Sequence, residues 1–206
     1  MADLTESDLI RQRRQNLAEL EALGVPLYPT TFDRTDTVSA LVEAHGGKDG
    51  PALEEEKPVA RAAGRILAIR SFGKANFLVI SDGRQKIQIY IRADSMPERD
   101  FSIFRLLDFG DVVGTEGRVF RTKTNELTIW ATALEFLVKC LLPMPEKWHG
   151  LTDVETRYRQ RYLDLIVNPD SRRVFEVRAK AISAMRRFLE RRGYLEVETP
   201  MMQPIA

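Results

Sequence analysis

The sequence predicts an α+β chain, mostly β in its middle: an N-terminal helix, a five-stranded barrel and a helical C-terminal region. Three observations predict it. Residues 59–142 alternate apolar and polar side chains in short runs, the period of a half-buried strand. Asp82-Gly83 separates two such runs, a strong hairpin signal. Val174, Val177, Ala181, Ala184 and Phe188 recur at helical spacing ahead of Gly193, which makes a long amphipathic helix with a glycine stop.

The elements follow in order. Residues 3–23 read as a helix, because Leu17, Leu20 and Leu23 recur near helical spacing and Gly24 with Pro26 ends the run. Arg11, Arg13 and Arg14 make it polar, a helix that packs weakly on a core or touches a charged partner. A short helix is expected at Val38–Ala44, and the turn residues His45–Pro51 predict a loop. The first strand is Val59–Arg70, with a bulge or tight coil expected at Gly64. Asn76–Ser81 and Gln85–Arg92 form the hairpin, Glu98–Leu107 is a short helix, and Gly110–Arg121 and Leu127–Leu142 complete the strands. Five strands with a helix between the third and fourth match the order and size of the partly open OB-fold barrel. They are too few for an attractive β-sandwich.

Pro143 and Pro145 stiffen a connector. Beyond it come a helix at Asp153–Ile166, a break at Asn168-Pro169-Asp170, the long helix to about Arg192, and a strand Leu195–Thr199 that stops at Pro200. The expected domains are a helical extension at 1–58, the barrel at 59–142, a linker at 143–152 and a second domain over 153–206.

Composition excludes several classes. The chain has 206 residues, 44% hydrophobic and 30% charged, enough apolar material for a packed core. One cysteine, Cys140, excludes a disulfide framework and a Cys-rich zinc site, and His45 and His149 lie too far apart for a local metal motif. The acidic start lacks the apolar segment of a secretory signal, and no apolar run reaches the ~20 residues that span a bilayer. The expectation is a soluble, reduced, cytoplasmic protein with no membrane contact. The net charge of +1 hides an asymmetry. Between Arg157 and Arg192 eleven basic residues face four acidic ones, a local excess of seven. Such a stretch attracts polyanions, or is a solvated helix face paired with acidic groups elsewhere.

An OB-fold binds single-stranded nucleic acid or sugars on strands 2 and 3, framed by the 1–2 and 4–5 loops. Alternation sends Ile87, Ile89 and Ile91 inward with Leu78 and Ile80, and leaves Phe77, Val79, Lys86, Gln88, Tyr90 and Arg92 outward. A two-residue turn at Asp82-Gly83 would pair Ser81 with Arg84 and Phe77 with Gln88. An exposed aromatic beside an exposed amide suits a base, the ring by stacking and the amide by hydrogen bonding to the base edge. Arg70 and Lys74 would contact phosphates, and Lys123 and Asn125 would frame the other side. The bland account is that Phe77 packs under a loop and Gln88 is solvated. Oligosaccharide and protein ligands stay open on pattern alone.

Several segments together carry a resemblance. They are Gly64-Arg65-Ile66, Gly73-Lys74-Ala75-Asn76-Phe77, Gln88-Ile89-Tyr90, Lys123-Thr124-Asn125-Glu126-Leu127, Arg157-Tyr158-Arg159-Gln160-Arg161-Tyr162-Leu163-Asp164-Leu165 and Arg192-Gly193-Tyr194-Leu195-Glu196-Val197-Glu198-Thr199-Pro200. In this order they closely resemble bacterial-type lysyl-tRNA synthetases, which are class II aminoacyl-tRNA synthetases. The resemblance runs from about residue 8 and is weakest over 29–58. The aspartyl and asparaginyl enzymes share the barrel, but the Arg-Tyr-Arg-Gln-Arg-Tyr run and Met201-Met202-Gln203 favour the lysyl members.

The resemblance implies that the barrel reads the tRNA anticodon. The aromatic matching Phe77 would stack on the central anticodon uridine, groups matching Gln88 and Glu135 would hydrogen-bond it, and Arg70 would assist. A strand carboxylate paired with an arginine accounts for Glu135 equally well. The segment from Arg178 to Pro200 resembles class II motif 1, a homodimer element, with Arg178, Ile182, Met185, Phe188 and Pro200 as interface positions. The whole enzyme would use ATP and Mg²⁺ to join lysine to tRNA. Motifs 2 and 3, which carry that chemistry, are not among the 206 residues, so no catalytic or metal-binding residue, and no ATP or Mg²⁺ binding by this chain alone, is expected. The rival is a stand-alone OB-fold module that binds single strands without catalysis.

Overall fold

Five runs that each offer one apolar face close on themselves, because closure buries those faces and leaves no open sheet edge. The computed structural model describes residues 8–73, 75–145 and 151–199, so Lys74 and Pro200 lie outside the described residues. Two units are present, Met1–Met144 and Pro145–Ala206.

In the first unit the strands are β1 (Val59–Phe72), β2 (Ala75–Ser81), β3 (Lys86–Ile91), β4 (Val112–Arg121) and β5 (Leu127–Val138). The barrel is closed rather than partly open, in the order β1-β2-β3-β5-β4 with β4 returning to β1. All pairings are antiparallel except β3 with β5. Its interior holds Ile66, Leu78, Ile80, Ile87, Ile89, Ile91, Val113, Val119 and Ile129, all buried. The long β1 pairs with both neighbours by bending. Its irregularity falls between Ile66 and Ala68 rather than at the expected Gly64. Gly64 serves a close approach instead: a Cβ there would stand 2.8 Å from the Ser81 carbonyl oxygen.

The helices of this unit are α1 (Asp8–Ala22), α2 (Val38–His45), α3 (Gly50–Glu56) and α4 (Glu98–Arg105). Leu20 and Val38 join the barrel's own core, which docks α1 and α2 on it. Arg13 is buried and donates to the carbonyls of Cys140 and Leu142, while Asn16 Nδ2 donates to Asp108 Oδ2 at 3.0 Å. The polar helix is thus fastened by hydrogen bonds to the end of the barrel. Helix α3 begins inside the loop expected at His45–Pro51 and continues through residues for which the sequence predicts no element. Asp49 caps it by accepting from Ala52 N at 3.0 Å, and Pro51 occupies its first turn, the usual chemistry of a helix start.

In the second unit the helix expected over Asp153–Ile166 is split into α5 (Val154–Arg159) and α6 (Arg161–Val167) by Gln160 at φ −116° and ψ 57°. The split turns Asp164 inward, where its carboxylate is fully buried. It accepts from Arg157 Nε at 2.9 Å, Asn168 Nδ2 at 2.6 Å and Ser171 Oγ at 3.1 Å, and pairs with Arg161. Burial pushes the Asp164 carboxyl up, but donation from Asn168, Arg157, Ser171 and Arg161 outweighs it and holds the pKa at about 2. Helix α7 (Pro169–Glu190) follows, and Gly193 at φ 83° takes the left-handed turn after it. The expected strand at Leu195–Thr199 has no ladder partner among the described residues. Within this unit α7 exposes Val174, Val177, Met185 and Phe188. No helix among the described residues is long and apolar enough to cross a membrane.

Candidate nucleic-acid interface

The hairpin sets the site, and its turn differs from the expected one. Ser81 pairs with Lys86, so the loop has four residues, 82 to 85. Asp82 builds it: Oδ1 accepts from Arg84 N at 2.9 Å and Gln85 N at 3.0 Å, and Oδ2 accepts from Ser39 N at 2.7 Å. Ser81 Oγ accepts from Gly83 N at 3.0 Å and donates to Gln85 O at 2.7 Å. Burial pushes the Asp82 carboxyl up, yet donation from the Gln85, Arg84 and Ser39 amides outweighs it and brings it down to about 2.

The consequence is a slip of two residues from the expected register. Phe77 lies opposite Tyr90, and Gln88 lies opposite Val79. A slip of two keeps every side chain on its face. Phe77, Val79, Gln88 and Tyr90 are therefore outward and half-buried, while Ile87, Ile89 and Ile91 are buried.

The registers join into one cross-barrel row. Arg70 pairs with Phe77, Phe77 with Tyr90, Tyr90 with Trp130, and Trp130 with Arg118. Phe77 and Tyr90 have ring centroids 5.0 Å apart with planes at 30°. Phe72, 67% exposed, meets Phe77 edge-on at 6.3 Å. Arg70 is exposed beside Phe77. The adjacent row places Gln88 opposite Thr128, and Gln88 Nε2 donates to Thr128 Oγ1 at 3.2 Å. The Gln88 carbonyl then keeps its acceptor capacity, and its second N–H can still donate.

The 4–5 loop borders the Gln88 end. Lys123 is exposed. Asn125 is the turn residue, at φ 64°, with its carbonyl accepting from Arg121 Nη1 at 2.6 Å. Asparagine tolerates that conformation better than most residues. Arg121 also donates to the Gly46 and Lys48 carbonyls, both at 2.6 Å, which ties this loop to the segment between α2 and α3.

Glu135 is not brought to this patch. It lies five residues beyond Trp130 on β5, opposite Gly114, and accepts from Arg61 Nη2 at 2.7 Å. Arg61 also reaches Glu116 at 4.0 Å and covers the Phe32 ring at 4.7 Å. The carboxylate–arginine pairing thus accounts for Glu135. The acid at the patch is Glu126, exposed, two residues before Thr128, with its carbonyl accepting from Thr128 Oγ1 at 3.1 Å. Sequence reasoning also left Tyr90 without a role and missed Trp130.

Comparison with known proteins matches two segments of the chain to families. Residues 60–137 match the OB-fold nucleic acid binding domain, and residues 153–206 match the class II tRNA synthetases (D, K and N). The lysine–tRNA ligase of Halalkalibacterium halodurans is 46% identical over 203 residues, covering 98% of this chain and 40% of that protein. The lysine–tRNA ligase of Pelotomaculum thermopropionicum is 48% identical over 199 residues, 97% of this chain and 38% of its own length. The lysine–tRNA ligase of Methanoculleus marisnigri is 45% identical over 206 residues, all of this chain and 40% of its own.

The chain is similar to lysine–tRNA ligases over nearly its whole length.

It spans about 40% of the length of those curated relatives. The nucleic-acid-binding match covers the barrel strands that carry Phe77, Gln88, Tyr90 and Trp130. Of the dimer positions implied by the lysine–tRNA ligase resemblance, Arg178, Ile182, Met185 and Phe188 lie on α7 and are exposed in their own unit.

Proposed function

We propose that this barrel reads a tRNA anticodon, and that the chain is the anticodon-binding part and the opening of the catalytic domain of a lysine–tRNA ligase. The observation that carries the reading is the outward row of Arg70, Phe77 and Tyr90 beside Gln88, on a barrel that matches a nucleic-acid-binding family. Phe77 supplies a stacking face for the central anticodon uridine. Gln88 donates to and accepts from that base's edge. Arg70 neutralises an adjacent phosphate, with Lys74 and Lys123 at the two framing loops. Glu126, from its place beside Thr128, is the carboxylate of the site in place of Glu135.

In the whole enzyme, lysine and ATP give lysyl-adenylate and pyrophosphate, and the lysyl group then passes to tRNA with release of AMP. ATP and Mg²⁺ belong to that adenylation step. This chain's contribution is to hold and orient the tRNA. The exposed stripe of α7 supports homodimer formation through Ile182, Met185 and Phe188, and the cytoplasm is the compartment of the reaction.

The test is a titration of the chain with an anticodon stem-loop carrying UUU, against one with adenine at the central position. Tighter binding of the UUU loop by about tenfold is expected from the hydrogen bonds of Gln88 to the uracil edge, since adenine also offers a stacking face. Equal binding sinks the reading.

A further inference from the structure

The anticodon reading uses one aromatic ring, yet the outer face of the barrel carries a connected set. Tyr90 and Trp130 approach at 5.4 Å with planes at 79°. Phe120 meets Trp130 at 5.7 Å and Tyr90 at 6.3 Å. All three alternate with the buried Ile89, Val119 and Ile129, so they point out of the barrel and are half-buried. The Arg118 guanidinium lies over the Trp130 ring at 5.9 Å and pairs with Glu54 at 2.6 Å.

The ring planes divide this set into two platforms. Tyr90 runs nearly with Phe77, at 30°, and nearly across Trp130, at 79°. Tyr90 therefore acts as a wedge that turns the Phe77 and Trp130 faces in different directions. Phe77 and Trp130 also stand on β2 and β5 with β3 between them, about 9.6 Å apart at the usual strand spacing. Bases in a continuous stack are only about 3.4 Å apart, so no single stack covers both rings. Two splayed bases do, and single-stranded RNA is read in that form.

We propose that Trp130 is a second stacking platform, which seats the anticodon-loop base neighbouring the one on Phe77, with Arg118 as the phosphate contact of that nucleotide. This rests on the anticodon reading of Phe77. Glu54 holds Arg118 in place across Trp130 in the free chain, and the phosphate takes Glu54's place when RNA binds. Phe120 and Tyr90 keep the indole upright.

The sequence makes this testable, because Trp148 is its only other tryptophan. In the Trp148→Phe variant of the whole 206-residue chain, Trp130 is the sole indole emitter. Titration with the UUU stem-loop is expected to quench its emission, with the same midpoint as the anisotropy of labelled RNA. Trp130→Ala should weaken binding about tenfold and Trp130→Phe much less, since phenylalanine keeps a stacking face. A stem-loop that is abasic at the neighbouring anticodon position should lose the quench and bind Trp130→Ala and parent alike, while still discriminating Phe77→Ala. Unchanged emission on saturation, or equal binding by Trp130→Ala while Phe77→Ala is impaired, overturns the second platform and leaves the Phe77 reading intact. Equal binding by both alanine variants overturns the anticodon reading itself.

Discussion

Replacing Asp82 with alanine tests the element that sets the register of the site. The carboxylate accepts from three backbone amides, those of Ser39, Arg84 and Gln85. Its pKa falls from 3.8 to about 2, which corresponds to roughly 2.4 kcal/mol if fully shielded. The group is partly exposed, and solvent screening reduces this to about 1 kcal/mol. Orphaning the part-buried Ser39 amide adds about 1 kcal/mol. Asp82→Ala should therefore lower the unfolding free energy by about 2 kcal/mol at pH 7. A folded pKa below the unfolded one means that the charge contribution is complete above about pH 4 and is lost as pH falls toward 2. The difference between parent and variant should then shrink to about half across that window. Urea unfolding followed by Trp130 emission in a Trp148→Phe background measures it. No loss at pH 7, or a loss of the same size at pH 3 and pH 7, refutes the account of the loop.

Other substitutions separate roles that the structure separates. Phe77→Ala should weaken UUU stem-loop binding by about 1–3 kcal/mol without altering its salt dependence, because it removes stacking and no charge. Arg70→Ala should instead flatten the slope of log K against log salt by about 0.7, the share of one phosphate contact to a single strand, read by anisotropy at several salt concentrations. Glu135→Gln should leave stem-loop affinity unchanged and cost at most about 1 kcal/mol of stability, since its pair with Arg61 is half-exposed. Glu126→Gln is the contrasting variant and should alter affinity in the same titration. Asp164→Asn should destabilise residues 151–199 by about 2–3 kcal/mol, by leaving Arg157 and Arg161 without their buried anion, visible as faster amide exchange in α6 and the start of α7.

The alternation of Ile87, Ile89 and Ile91 against Leu78 and Ile80 made the barrel and its inner face legible in the sequence. Side-chain period is a local property. The turn was less legible, because the Asp82-Gly83 signal says nothing of a carboxylate that gathers three amides, one of them from α2. The two-residue slip preserved facing and changed neighbours, so Phe77 was expected beside Gln88 and stands beside Tyr90. Trp130 was hidden by the parallel β3–β5 pairing, which joins residues forty positions apart and leaves no local trace. Glu135 rested on the resemblance rather than on the pattern of β5; in the structure it pairs with Arg61, and Glu126 is the exposed acid beside Thr128. The start of α3 was written in Asp49 and Pro51, but their turn-like composition masked it. The break at Gln160 turns Asp164 into a cluster with Arg157, Arg161, Asn168 and Ser171, which helical periodicity does not record.

The central claim is that the outward row of the barrel reads a tRNA anticodon through the face of Phe77. Its most direct test is the affinity of the parent chain and Phe77→Ala for two stem-loops, one with UUU and one abasic at the central anticodon position. The account predicts that parent binds the UUU loop about tenfold or more tighter than the abasic loop, and that Phe77→Ala binds both alike. A parent chain that binds both loops equally, or a Phe77→Ala variant that keeps the full preference, contradicts it.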